Sequence, residues 1–280
     1  MTILSRLISW LNGAMTALFD LLRGPIAALP AWLSLTVISA TLGVVLLILF
    51  KYTSNQTAIG RVRDKIKARL LAMKLFKDNI PVVLKSQVQV FAAAVMLLIY
   101  SIPPMLVMII PFCLVLGQLG RWYQARPLAV NETAVVTMQL SGQDNDPLPP
   151  VSLNSAEAAE ILVGPVRVPS EHRVLWKIQP TQPGIHQLQF TIDGQQVQKE
   201  LSAGSGLMPV SIKRPGLNIE DLILYPAEKP FDTSSPVQSI EIEYPDRTAP
   251  VTGSGVWIIT LFVISMIFAF LAKPFFNVKI

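Results

Sequence analysis

The residues of this chain that could carry acid–base, metal or redox chemistry are few and poorly spaced for it. His172 and His186 stand alone, Cys113 is the single cysteine, and Glu241 with Glu243 is the nearest approach to a carboxylate pair. Alternate residues of a strand share one face, so the two glutamates read as the solvated side of a strand, and an isolated histidine in a β segment is ordinarily a surface or packed residue. One cysteine allows neither an intrachain disulfide nor a cysteine-based metal site. No nucleophile elbow, paired metal ligands, glycine-rich phosphate loop or dinucleotide fingerprint stands in a supporting context. The expectation is a non-enzyme with no cofactor and no small-molecule substrate. Asn131-Glu132-Thr133 matches a glycosylation sequon, which has meaning only in a secretory host.

What the chain does concentrate is positive charge. Between Lys51 and Lys85 stand Lys51, Arg61, Arg63, Lys65, Lys67, Arg69, Lys74, Lys77 and Lys85 against only Asp64 and Asp78, a local charge of about +7 that exceeds the +5 of the whole chain. The pI near 9.4 therefore reports one segment and does not mark a specific nucleic-acid binder. Within it, Ile59, Val62, Ile66, Leu70, Met73 and Phe76 fall on one stripe, which predicts a basic amphipathic helix from Thr57 to Lys77. Arg61, Arg63, Lys65, Lys67, Arg69, Lys74 and Lys77 are its candidate basic surface. Such a helix can lie on anionic lipid, pack as a hairpin against Ile80–Gln89, or meet an acidic partner such as ribosomal RNA or a nascent chain.

The elements that position this segment are apolar. With 51% hydrophobic and 15% charged residues the chain is too oily for a wholly soluble fold, and the excess lies in Trp32–Phe50, Val90–Leu116 and Val256–Ala272. At about 1.5 Å per residue each run covers most or all of a ~30 Å hydrocarbon core. None contains an ionisable residue other than Cys113 and Tyr100, so no proton relay or buried ion pair is visible. Lys51 follows the first run where a cleavage site would need small residues, so that run is expected to remain as an anchor. Retention of positive loops on the cytoplasmic side predicts a multi-pass protein, N-terminus out and C-terminus in, and a chain that can form no intrachain disulfide favours a bacterial inner membrane as its site. The segments are then 1–30, an extracytoplasmic interfacial helix ended at Gly24-Pro25; 31–51, the first span; 52–86, the basic cytoplasmic segment; 87–123, the second span; 124–252, an extracytoplasmic β domain; 253–273, the third span; and 274–280, a cytoplasmic tail.

The first helix carries Leu4, Leu7, Ile8, Leu11, Met15, Leu18, Phe19 and Leu22 at helical spacing, with Asn12, Thr16 and Asp20 opposite. The second span holds Pro103, Pro104 and Pro111, each removing a backbone donor, which predicts a kink. Gln87, Gln89, Ser101, Pro103, Pro104, Gln118 and Ser265 are candidates for a polar membrane groove. The alternative is that Ser and Thr bond back to their own helices while Gln sits at the headgroups.

Beyond Arg126-Pro127 short alternating segments are broken by proline and glycine, as at Asp144–Pro150, Gln179–Gly184 and Ala203–Gly206. Val174, Trp176 and Ile178 alternate with polar neighbours, as do Leu188, Phe190 and Ile192. Asp193-Gly194 then turns the chain into Gln195–Leu201 as a hairpin, and Val237–Tyr244 reads as another strand. These features predict an all-β, immunoglobulin-like sandwich with Trp176 in its core, beside an α-helical membrane domain of three transmembrane helices plus amphipathic helices.

Pro104-Met105-Leu106 through Ile110-Pro111-Phe112, with Gly120-Arg121-Trp122-Tyr123 after it, resembles the second core helix of the YidC/Oxa insertase superfamily, in particular of its archaeal YidC-like members and of the insertase subunit of the ER membrane complex. Val256-Trp257-Ile258 through Ser265-Met266-Ile267-Phe268 and Lys273-Pro274-Phe275 resembles their last helix. The likeness covers residues 31–125 and 254–278. It implies an insertase with nascent membrane proteins or the ribosome as partners alongside membrane lipid, working through a lowered barrier rather than covalent chemistry. The chain departs from it in having no positive residue within the three apolar runs and in the β domain set between the last two spans. The competing expectation is a membrane-anchored scaffold or accessory subunit whose β domain docks an extracytoplasmic or membrane protein partner. Transport of a small molecule is disfavoured by the lack of intramembrane charge and of an internal repeat.

Overall fold

Helices α1 (Ile3–Leu21), α2 (Ala31–Thr53), α3 (Gln56–Leu75) and α4 (Ile80–Tyr123) precede strands β1 (Ala134–Leu140), β2 (Val151–Asn154), β3 (Ala159–Val168), β4 (Arg173–Pro180), β5 (Gly184–Ile192), β6 (Gln195–Ala203) and β7 (Lys213–Arg214). The short helix α5 (Ile219–Leu224), strand β8 (Val237–Ile242) and helix α6 (Val256–Phe276) complete the order. This computed structural model describes residues 3–21, 24, 29–142, 147–154, 159–248, 252–253 and 255–278. The helix stop expected at Pro25, and part of the turn expected over residues 144–150, lie outside the described residues.

α2, α4 and α6 are long and apolar enough to cross a membrane, and the chain is a membrane protein in that sense. The structure departs from the expected segments at α4, a single helix of 44 residues, of which residues 87–123 are only the later part. At about 1.5 Å per residue it runs ~66 Å, roughly twice a hydrocarbon core. Pro103, Pro104 and Pro111 lie inside it without interrupting it. Local chemistry sets the ends on its basic side. Asn55 caps α3 by accepting from the Ala58 N–H at 3.0 Å, and Asn79 accepts from Val82 at 3.4 Å just ahead of Pro81, which the first turn of a helix tolerates.

The chain divides into two compact units, Met1–Leu35 with Cys113–Thr260, and Thr36–Phe112 with Leu261–Ile280. In the second unit α2 and α6 cross closely, since a Cβ on Gly43 would collide with the Ser265 carbonyl oxygen. Gly43→Leu is therefore expected to force the two helices apart. Cysteine pairs placed across the crossing should cease to crosslink in that variant, and unchanged crosslinking would contradict the contact.

The first unit contains two antiparallel sheets, of order β3-β4-β1-β8-β7 and β2-β5-β6. Their inner residues share one core, in which the Trp176 ring of the larger sheet meets Phe190 of the smaller edge-on at 5.3 Å between centroids. Asp193 and Gly194 both take positive φ, as the two-residue turn joining β5 to β6 requires. Leading into β1, Arg126 grips Glu132 through two bonds of 2.7 and 2.8 Å, and Glu132 also accepts from the Ala129 N–H. The Arg126 bond holds the Glu132 carboxyl below the usual carboxylate range. The clasp therefore stabilises the fold above the ordinary glutamate pKa and is lost as pH falls through the lowered value. Both side chains are about a third exposed, so Glu132→Gln is expected to cost less than about 1 kcal/mol. Thermal unfolding near pH 7 and near pH 3 checks this: the difference between parent and variant should shrink at the lower pH.

Helix α1 packs on this unit by a face that mixes polar and apolar residues: Phe19 is buried, and Leu11 packs against Leu114 and Leu222. Asn12 donates to the Leu222 carbonyl at 2.6 Å and Thr16 to that of Pro226 at 3.3 Å, while Trp10, Leu18 and Leu21 stay exposed. Carbonyls at the end of α5 need donors and the polar stripe supplies them. The exposed Trp10, Leu18 and Leu21 leave apolar surface on this helix for lipid.

Candidate functional site

The hydroxyls among the residues expected to line a groove bond back to their own helices. The Ser101 hydroxyl donates to the Leu97 carbonyl at 2.9 Å and that of Ser265 to Phe262 at 3.0 Å; Thr41 and Thr260 bond back in the same way. Bonding to the same helix is the cheapest way to satisfy a hydroxyl where no water is present. Gln118 corrects the expectation outright. It belongs to the first unit, buried, where its Nε2 donates to Thr16 Oγ1 at 2.7 Å and its Oε1 accepts from Arg121 at 3.3 Å. Pro103 is exposed and Pro104 buried within α4, and Gln87 is exposed. Gln89 is half-buried, and its Oε1 takes no hydrogen bond among the described residues.

What the second unit offers instead is an open apolar seam. Ile80, Leu84, Val88, Phe91, Val95, Leu98, Ile102, Met105 and Ile109 recur along α4 at three- and four-residue steps, which places them on one face, and every one is exposed. Phe91 is 73% exposed, Leu98 69% and Met105 66%. The seam extends about 44 Å along the helix. Its first part, Ile80–Val88, flanks Lys85 and Gln87 ahead of the uncharged run, so lipid tails are not the natural cover there.

α3 meets the N-terminal end of α4 through the turn at Phe76–Asn79. Ala58, Ile59 and Val62 in its first half are buried, whereas Leu70, Leu71, Leu75 and Phe76 are exposed. Of the basic residues, Arg61, Lys65, Lys67, Arg69, Lys74 and Lys77 are exposed and Arg63 is half-buried. Among the described residues Arg61 Nε donates to the Thr57 carbonyl of its own helix, at 3.4 Å. The result is a basic helix and turn that are apolar and cationic together.

A second surface lies on the outer face of the larger sheet. A groove of about 830 Å³ has Thr137, Gln139, Ser239 and Glu241 on its floor. Its cations are engaged: Lys213 is held by both oxygens of Asp221 at 3.0 Å, and Arg173 by Glu171 at 3.0 Å and Gln139 at 2.9 Å. Glu241 and Glu243 form no ion pair among the described residues, which leaves the groove negative. The two glutamates do share an exposed side, as their spacing indicates, but that side is concave. No cluster of His, Cys, Asp and Glu suited to a metal occurs among the described residues.

The buried ion pair of the β domain escaped the sequence reading. Lys199 is fully buried, its Nζ 2.6 Å from Glu228 Oε1, 2.6 Å from the Ser211 carbonyl and 2.9 Å from Ser211 Oγ. Burial pushes the ammonium pKa down while Glu228 pulls it back up. The signal was present, because Lys199 has the inward parity of Leu201 on β6. Ser211 is itself fully buried, so the trio pins the segment after β6 and offers no accessible nucleophile.

Comparison with family models, with characterised proteins and with solved structures gave no match to this chain.

Proposed function

We propose that this chain is a membrane-protein biogenesis factor of the YidC/Oxa insertase type, in which the seam of α4 receives an apolar client segment and the basic hairpin guides it there. The observation that carries the reading is the seam itself. A nine-residue apolar stripe left uncovered, and continuing past the uncharged part of its helix, is a surface that wants a helical partner. The cationic segment suits clients with acidic flanks or the phosphates of a ribosome. No covalent step is involved. The positive-inside rule supports a cytoplasmic basic segment and an extracytoplasmic β domain, and the resemblance to the YidC/Oxa superfamily supports a bacterial inner membrane. The immunoglobulin-like reading of that domain is supported by two sheets closing over Trp176.

Proteoliposomes containing the full chain provide the test. Insertion of a single-span client with a short acidic tail, scored by protease protection, is expected to exceed that in empty liposomes severalfold, and Leu98→Ser with Met105→Ser is expected to remove the excess. Equal protection with and without the protein would end the insertase reading.

The negative groove over β1 and β8 favours a second reading, a scaffold subunit that holds a cationic segment of an extracytoplasmic or membrane partner. Deleting residues 132–248 separates the two, since it should abolish scaffolding and leave insertion in place.

A further inference from the structure

The open seam of α4 is more regular than contact with lipid requires. From Leu84 to Ile109 its residues step by four and three positions in turn, without a break. Such spacing averages about 3.5 residues per turn, the period of a left-handed coiled-coil seam and not of a straight helix. Written as heptads, it places Val88, Val95, Ile102 and Ile109 at a, and Leu84, Phe91, Leu98 and Met105 at d. Every a residue is β-branched, the arrangement that favours two parallel strands, and β-branched side chains lose little rotamer freedom on packing. The side of α4 that this chain covers itself lies opposite, since Ser86 at f and Pro104 at c are buried and Ala93, Leu97 and Tyr100 at f, c and f are half-buried. The three prolines occupy b and c, so none falls on the seam. Phe112 takes the next d position, but its ring meets that of Phe262 at 5.4 Å between centroids, so the open seam ends at Ile109.

A seam of this pattern fits a second copy of itself. Two copies in one membrane share an orientation, so their α4 helices run parallel and each a or d residue meets its own counterpart, which is the pairing that β-branched a positions favour. A seam about 44 Å long on a helix about 10–12 Å across covers roughly 500 Å² per copy. The total of about 1,000 Å² lies at the low end for specific association, among contacts that exchange. Leu84 and Val88 stand on either side of Lys85, ahead of the uncharged run, where removal from water adds to the packing. Lys85 itself falls at e, beside the seam and not in it. We propose that at rest the α4 seam is closed by the same seam of a second copy, in a parallel left-handed pair that a client helix displaces. The pairing stands on the heptad pattern, and only the displacement rests on the insertase reading.

Oxidative crosslinking of the full chain in proteoliposomes, with Cys113→Ser as the background and one cysteine introduced at a time, tests it. Val95→Cys and Ile102→Cys are expected to yield disulfide-linked dimer at least about fivefold above Met96→Cys and Val107→Cys, whose b and f positions a pair holds apart. All four residues are exposed, so these variants leave the packing of the chain intact, and the off-seam pair measures random collision at the same depth. An excess of a single-span client should lower the seam crosslinks severalfold. Equal yields on and off the seam would overturn the pairing and leave lipid as the cover. Seam crosslinks undiminished by excess client would overturn the displacement. The insertion assay keeps the two readings apart: insertion with equal crosslinking removes the pairing alone, whereas seam-specific crosslinks without insertion keep the pair and remove the insertase.

Discussion

Replacing Lys199 by methionine is expected to destabilise the β domain by about 3–5 kcal/mol, the cost of removing one partner from a buried ion pair. The magnitude follows from what is left behind. Glu228 is 12% exposed at its side chain, and without the ammonium it keeps only neutral donors, Ser211 and the Glu200 N–H. A loss of this size is a large share of the roughly 5–15 kcal/mol that holds a typical domain together. Methionine fills much of the lysine volume, so a cavity contributes little. The double variant Lys199→Met, Glu228→Gln should recover most of the loss, because the stranded charge is gone. Amide hydrogen exchange along β5 and β6 in the full chain is the measurement. Unchanged protection in the single variant would mean that the pair contributes nothing.

The largest functional effect is expected from reversing the hairpin charge. Lys65, Lys67 and Arg69 are all exposed, and changing the three to glutamate moves the local charge of about +7 to about +1 with the reversed patch on α3. Like charges brought together cost several kcal/mol and slow encounter, so insertion of clients with acidic flanks should fall at least about tenfold. Clients with neutral flanks should be affected much less, and raising the salt should shrink the difference between the two client classes. Fold and membrane integration should not change, since none of the three side chains packs on the protein. A variant that inserts acidic clients as well as its parent does would remove the hairpin from the proposed function.

Much of the architecture was legible because apolar patterning is a strong signal. Three uninterrupted runs announced α2, α4 and α6, and strict alternation around Trp176 and Phe190 announced strands with one buried face. Asp193-Gly194 announced its hairpin because few other pairs tolerate two positive φ angles. The candidate groove was less legible. Residue type says that Ser101 or Ser265 is polar, but whether such a hydroxyl faces a cleft or its own helix depends on the cost of an unsatisfied hydroxyl in lipid, and back-bonding won. Gln118 was misplaced for a different reason. Hydropathy runs through it without a break, whereas the fold sets it under α1 beside Thr16. The same contact shows why Asn12 and Thr16 pack inward beside Leu11 and Phe19, because helical periodicity finds a polar stripe without saying whether water or another polar surface covers it. The seam on α4 was hidden because a buried core helix and an open apolar surface have the same composition.

Site-specific photo-crosslinking in living cells, from a reactive residue at Ile102 in the middle of the seam and in parallel at Glu241 in the outer groove of the β domain, tests the function most directly. The account predicts short-lived crosslinks from Ile102 to many nascent membrane proteins, lost when translation is blocked. A single stable partner captured from Glu241, with only lipid captured from Ile102, would contradict it and make this chain a scaffold subunit.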